Sequence, residues 1–160
     1  MRLGFALLAL AIAAPATAQR DLVLPAAPAR IDYVETVCVG GIAGQREQVR
    51  VYANGRIEKA SRRGDGILRA HANGAAVAKV WRELDRARFE QRVVPPEKPY
   101  IMDGIDCSLT RRANGRLHTV NLMQQQRGKP AYRDLSQAVD DINALGQRAT
   151  GPILRPAASR

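Results

Sequence analysis

Few residues in this chain have side chains suited to chemistry: two histidines, two cysteines, and some scattered serines and carboxylates. An enzyme needs a nucleophile, a base or a metal held in one constellation. His71 falls in an expected loop and His118 on an expected strand. Neither has a second ligand at metal spacing, so each reads as a surface or edge residue. Ser61, Ser108, Ser136 and Ser159 lack the Gly-x-Ser-x-Gly frame that exposes a nucleophile on a strand-to-helix turn. Asp103-Gly104-Ile105-Asp106 offers half of a calcium loop without its closing glutamate, and reads as a turn entering a strand. Asp85 and Glu90 belong to a charged helix end rather than a carboxylate pair. The expectation is a protein without catalytic residues, metal or cofactor.

The informative stretch is Cys38-Val39-Gly40-Gly41-Ile42-Ala43-Gly44. Three glycines in five residues beside a strand are costly, each weakening local order by roughly 0.5–1 kcal/mol relative to alanine. The cost makes sense where the backbone must take positive φ, bulge, or approach another surface closely. One reading is a glycine-rich bulge or strand connection; the other is a protruding recognition loop, Gly40 to Gly44, with Ile42 at its tip. Nucleotide binding is disfavoured, because no Lys-Ser/Thr follows and no helix begins there to receive a phosphate.

The elements that must position this loop follow from the pattern. Met1-Arg2, an apolar run from Leu3 to Ala14, Pro15 and Ala16-Thr17-Ala18 read as a signal peptide, 1–18, cleaved after Ala18. The run is too short to span a membrane, so a periplasmic or secreted protein is expected. Residues 19–30 read as an extended leader, 31–148 as one domain, and 149–160 as a flexible tail. Ile31, Tyr33 and Val37 alternate with Asp32 and Thr36 as a half-buried strand, and Gln48 to Ala53 alternates through Val49 and Val51. Asn54-Gly55 predicts a two-residue type I′ hairpin leading to a return strand over 56–61, and 62–66 is loop. Asn73 can cap a helix carrying Val77, Val80, Trp81, Leu84 and Ala87 on one face. Val93 to Pro99, with three prolines, is an extended connector. Strands are predicted over 104–111, with Ile105, Cys107 and Leu109 on one face, and over 117–123, joined by Asn114-Gly115. Residues 124–129 read as a polar loop. Pro130 starts a second helix with the stripe Leu135, Ala138, Val139, Ile142 and Leu145, and Gly146 is placed for its C-terminal cap. The match of Ala53-Asn54-Gly55-Arg56 to Ala113-Asn114-Gly115-Arg116 is attributed to Asn-Gly being the favoured hairpin turn, in preference to an internal duplication. The predicted fold is a two-layer α+β domain, ββαββα, with an antiparallel sheet of about four strands and two helices on one face.

Two cysteines in an exported protein make one bridge, Cys38–Cys107, the default. A reactive thiol or an intermolecular bridge are the alternatives, and neither has local support. The net charge is +10 for the full chain. A polyanion binder, for lipopolysaccharide or nucleic acid, is one reading of that excess. Against it, the basic residues are scattered and few aromatic residues are present to stack bases, so a solvated surface reflecting an Arg- and Ala-rich composition is preferred.

Gly40-Gly41-Ile42-Ala43-Gly44 after a strand resembles the Gly-Gly-Phe-Ala-Gly element of emfourin-like proteins, inhibitors of thermolysin-type metallopeptidases. The sequel is similar too: a helix, a proline-bearing connector, Asp103 leading into a strand, Leu117-His118-Thr119-Val120, and a final helix, over about residues 31–145. The resemblance implies a non-enzymatic inhibitor whose Gly40, Gly41, Ile42, Ala43 and Gly44 contact the peptidase. Ile42 stands where the family has an aromatic residue. The signal peptide and the Cys38–Cys107 bridge also depart from the family's simple cytoplasmic pattern. The expected protein is a monomer that binds a protein partner, with polyanion binding as the alternative.

Overall fold

The computed structural model describes residues 23–42, 44–61, 66–98, 101 and 103–154. The expected signal peptide over 1–18, residues 19–22 of the expected leader, Ala43, residues 62–65 of the expected loop, and the expected tail from 155 onward lie outside the described residues. The chain is α+β. Seven antiparallel strands, β1 (Tyr33–Gly40), β2 (Gln45–Tyr52), β3 (Arg56–Ser61), β4 (Ile67–His71), β5 (Ile105–Ala113), β6 (Arg116–Leu122) and β7 (Ile153–Leu154), form one sheet in the order β6-β5-β1-β2-β3-β4-β7. The helices are α1 (Gly74–Arg86), α2 (Gln124–Arg127) and α3 (Arg133–Arg148).

Among the described residues the sheet is therefore larger than the expected one of about four strands, and the α-helices are three, not two. Strand β4 carries His71 out of its expected loop. Its sequence, Ile-Leu-Arg-Ala-His, lacks clear alternation, and pairing with β3 overrides that weak local signal. Ile153–Leu154, within the expected tail, pairs with β4 as β7. The polar residues 124–127 form a turn of helix, with Asp106 Oδ1 accepting from the Gln124 N–H (2.9 Å).

The Asn-Gly turns differ from each other. Asn114 (φ 52°) and Gly115 (φ 76°) both take positive φ between the paired Ala113 and Arg116, as a two-residue type I′ hairpin requires. In the first turn only Gly55 does (φ 88°), and its N–H donates to the Tyr52 carbonyl (2.9 Å). Residues 53–55 thus form a three-residue connection, not the I′ turn expected; one more residue in the loop moves the left-handed position onto glycine alone.

Both long helices lie on one face. Asn73 caps α1, its side chain accepting from the Ala75 N–H (2.8 Å), and Val77, Val80 and Leu84 are buried. Helix α3 buries Leu135, Ala138, Val139 and Ile142 against Val49, Val51, Cys107, Leu109, Val120 and Leu122. In β1 the helix-facing residues are Val34, Thr36 and Cys38, the opposite set from the Ile31, Tyr33 and Val37 face that alternation picks out. Both faces of this central strand are covered, so alternation cannot say which is the core. Arg111, also on the helix side, is held by Asp85 (2.7 Å) and Glu90 (3.1 Å) with its guanidinium 4.6 Å from the Trp81 ring.

Gly146 is not a cap: α3 continues to Arg148, and Gly146 is where the helix meets the sheet. A Cβ there would lie 2.7 and 2.8 Å from the Val49 methyls. Gly146→Ala should lower stability by about 1–3 kcal/mol through overpacking, despite the better helix propensity of alanine. Urea unfolding measures the loss.

Helices α1 and α3 are also joined through Lys79, whose Nζ lies 2.9 Å from Asp141 and 3.5 Å from Glu83. Burial, then the hydrogen bond and charge of Asp141, push the Glu83 carboxyl up; for Asp141, burial is outweighed by hydrogen bonds from Lys79 and Glu83, and its carboxyl is held low. Because folded Glu83 holds its proton more tightly than the unfolded chain does, its ionisation costs stability as pH rises through its raised value. Glu83→Gln should therefore melt higher than wild type at about pH 7, with the gain fading as pH falls to about 4 and wild-type Glu83 takes up its proton. Thermal melts at the two pH values test this.

Candidate recognition loop

The residues from Gly40 to Gly44 connect β1 to β2 at the centre of the sheet. Gly40 pairs with Gln45 on one side and with Ile105 on the other. Gly40, Gly41 and Gly44 take φ of 132°, 73° and 55°, conformations that side chains rarely adopt. The Gly44 N–H donates to the Gly41 carbonyl (2.9 Å), which closes the turn, and the Gly41 N–H donates to the Gly104 carbonyl (3.2 Å), which ties it to the entry of β5. Gly40 is fixed by contact as well as by φ: a Cβ would sit 2.0 Å from the Gly104 oxygen. The glycines thus serve both structural needs inferred from the sequence, positive φ and close backbone approach.

Ile42 is 95% exposed at the turn, and Val39, the last side chain before the glycines, is 43% exposed. Ala43 lies outside the described residues. Two residues below Gly40, Cys38 is bonded to Cys107, its directly opposite partner on β5. On the helix side Asn143 Nδ2 donates to the Cys38 sulfur (3.5 Å), its Oδ1 accepts from the Thr36 hydroxyl (2.6 Å), and Arg127 Nη1 approaches the Cys107 sulfur (3.7 Å). The base of the loop is thereby fixed by a covalent bond, two strand ladders and a polar cluster, while its apolar tip faces solvent.

Of the other candidates, Asp103 to Asp106 enters β5 beside the loop, while the two histidines and Ser136 lie on separate elements. His71 is exposed on β4. His118 is half-buried on β6, where Nε2 donates to the Arg92 carbonyl (2.9 Å) and the ring meets Phe89 edge-on at 5.1 Å. Ser136 donates to the carbonyls of Arg127 and Tyr132, a helix-terminal role. Among the described residues no three metal-ligating side chains converge. Many cations are drawn into ion pairs: Arg50 with Glu35, Arg69 with Glu58, Lys59 with Glu47, Arg92 with Asp134, Lys129 with Glu97 and Arg127 with Asp140.

Two cavities flank the loop's base, one on each face of the sheet. The first, about 450 Å³, is lined by Val37, Val39, Val94, Pro96, Asn121 and Met123. The second, about 360 Å³, is polar and is lined by Cys38, Glu47, Arg127, Asp140 and Asn143 among others. Neither was legible in the sequence, because each joins residues from the sheet to a distant connector or helix. Compared with protein-family models and with curated proteins, the chain matches none.

Proposed function

We propose that this protein acts by binding a protein partner through its Gly40–Gly44 loop, as an inhibitor of thermolysin-type metallopeptidases. The observation that carries the reading is Ile42: a β-branched apolar side chain, almost wholly exposed, on a turn whose base is locked by Cys38–Cys107 and by the Gly41–Gly104 hydrogen bond. A large apolar residue held out on a stiff turn has little to gain from folding. It suits an apolar subsite of a partner. A β-branched side chain is restricted at χ1 and the turn is already formed, so docking spends little free energy on ordering the loop. The peptidase class rests on the resemblance of the glycine loop. In this reading the protein performs no chemistry and works outside the cytoplasm, where the disulfide persists. No helix among the described residues is long and apolar enough to cross a membrane.

The test is inhibition of a thermolysin-type metallopeptidase by the oxidised protein beginning at Gln19, at low and high salt. Tight inhibition that survives high salt supports the apolar loop. Inhibition or binding that falls steeply with salt would point to the arginines and to a polyanionic partner instead, since counterion release drives such binding. No inhibition across a panel of these peptidases sinks the reading.

A further inference from the structure

The sheet face away from the helices is crossed by residues 23–30, and they are held much as a protein holds a peptide ligand. Side chains from the sheet read the leader's backbone. The Leu24 N–H donates to Gln48 Oε1 (3.0 Å), Arg50 Nη1 donates to the Pro25 carbonyl (2.7 Å), and the Arg112 guanidinium donates to the carbonyls of Pro28 (3.3 Å) and Ala29. One side chain anchors the segment: Leu24 is 5% exposed, while Val23, Pro25, Ala26 and Pro28 stand out to solvent. Pro25 and Pro28 have no N–H to satisfy and favour the extended form.

The floor beneath has the composition of an interface hot spot, rich in tyrosine and arginine. Tyr33 and Tyr52 meet edge-on at 6.2 Å, the Arg56 guanidinium lies 4.0 Å over the Tyr52 ring, and Arg50 bridges Glu35 (2.5 Å) and Glu58 (3.7 Å). The groove also continues past Leu24. Gln48, which holds Leu24, pairs with Val37. Residues directly opposite in a ladder share a face, and Val37 lines the apolar 450 Å³ cavity.

We propose that this face is a binding site for an extended, proline-bearing apolar segment of a partner protein, and that the chain's own leader occupies it in cis. The leader sets the chemistry: a leucine-sized anchor beside Gln48, carbonyls offered to Arg50 and Arg112, and prolines where no donor is needed. A segment held by one anchor and a few side-chain hydrogen bonds opens locally at low free-energy cost. A partner then binds with its intrinsic affinity reduced by the fraction of molecules in which the leader is seated. This site is separate from the Ile42 loop, and the proposal stands whether or not the loop inhibits a peptidase.

The test uses a fluorescein-labelled peptide with the sequence of residues 19–30 and the full protein beginning at Gln19. Leu24→Asp unseats the leader, so this variant should bind the peptide at least about tenfold more tightly than wild type does. The same peptide with aspartate in place of its anchoring leucine should not bind. In the unaltered protein, the Leu24 amide should exchange hydrogen far faster than those of Val49 and Val51. A folded Leu24→Asp variant that ignores the peptide overturns the proposal. So does Leu24 exchange as slow as that of β2, a result that would decide the matter even if the variant failed to fold. A leader-exchanged dimer without peptide binding overturns it too, in favour of a second copy as occupant.

Discussion

Ile42→Asp is expected to abolish peptidase inhibition while leaving the melting temperature unchanged. The side chain makes almost no folded contacts to lose, so the stability change of this exposed substitution should stay within about 0.5 kcal/mol. In a complex the same position would be the apolar anchor. Hot-spot residues cost about 2 kcal/mol or more on truncation, and a carboxylate forced into an apolar subsite adds desolvation. The inhibition constant should therefore rise by at least about thirtyfold. Inhibition assays paired with thermal melts read both quantities from one preparation. Loss of inhibition together with a lowered melting temperature would assign Ile42 a role in the fold and remove the ground for the loop reading.

The second large effect is on stability. Cys38 and Cys107 are 69 residues apart in sequence, and in the chain-entropy model a bridge closing so long a loop contributes about 4 kcal/mol by constraining the unfolded chain. The double variant Cys38→Ala/Cys107→Ala should lose about that much in urea unfolding. Its denaturant slope should be steeper, because an uncrosslinked chain exposes more surface when unfolded. A loss below about 1 kcal/mol would mean that the β1–β5 ladder and the helix-side core hold this junction unaided. Inhibition by the double variant, measured below its melting range, should weaken less than in Ile42→Asp, because the Gly41–Gly104 tie and the tip itself remain.

What could be read from the sequence divides by range. Helix α1 with its Asn73 cap, the stripe of α3, and the glycine stretch between two strands all rest on neighbours within a few residues, where spacing and turn chemistry dominate. Pairing Cys38 with Cys107 needed only a count of cysteines. Strand β4 was missed because Ile67 to His71 carries too little alternation to stand out, and β7 because two residues have no period at all. Gly146 misled for a different reason. A glycine near a helix end usually caps it, and here its missing Cβ admits the Val49 side chain. The helix-facing side of β1 was read backwards, since nothing local announces that residues 23–30 fold back over Tyr33 and Glu35. In the candidate site, Ile42 and its glycines could be picked out from the sequence. The Gly104 carbonyl that fixes Gly41, the Asn143 contact to Cys38 from 105 residues away and the Arg127 contact to Cys107 from 20 residues away have no local signature.

The sheet order also bears on how fast the molecule assembles. Strands β1 to β4 form a meander whose pairings are all local, but β1 has a second neighbour, β5, that is synthesised much later. Until β5 arrives, the middle of the future sheet is an open edge, and the entropy of closing a long loop must be overcome before that edge is satisfied. Docking of β5 and β6 onto β1 should therefore limit the rate. A chain unfolded with its bridge intact keeps these two strands tethered, so it should refold faster than the reduced chain, with a smaller change in the rate of unfolding.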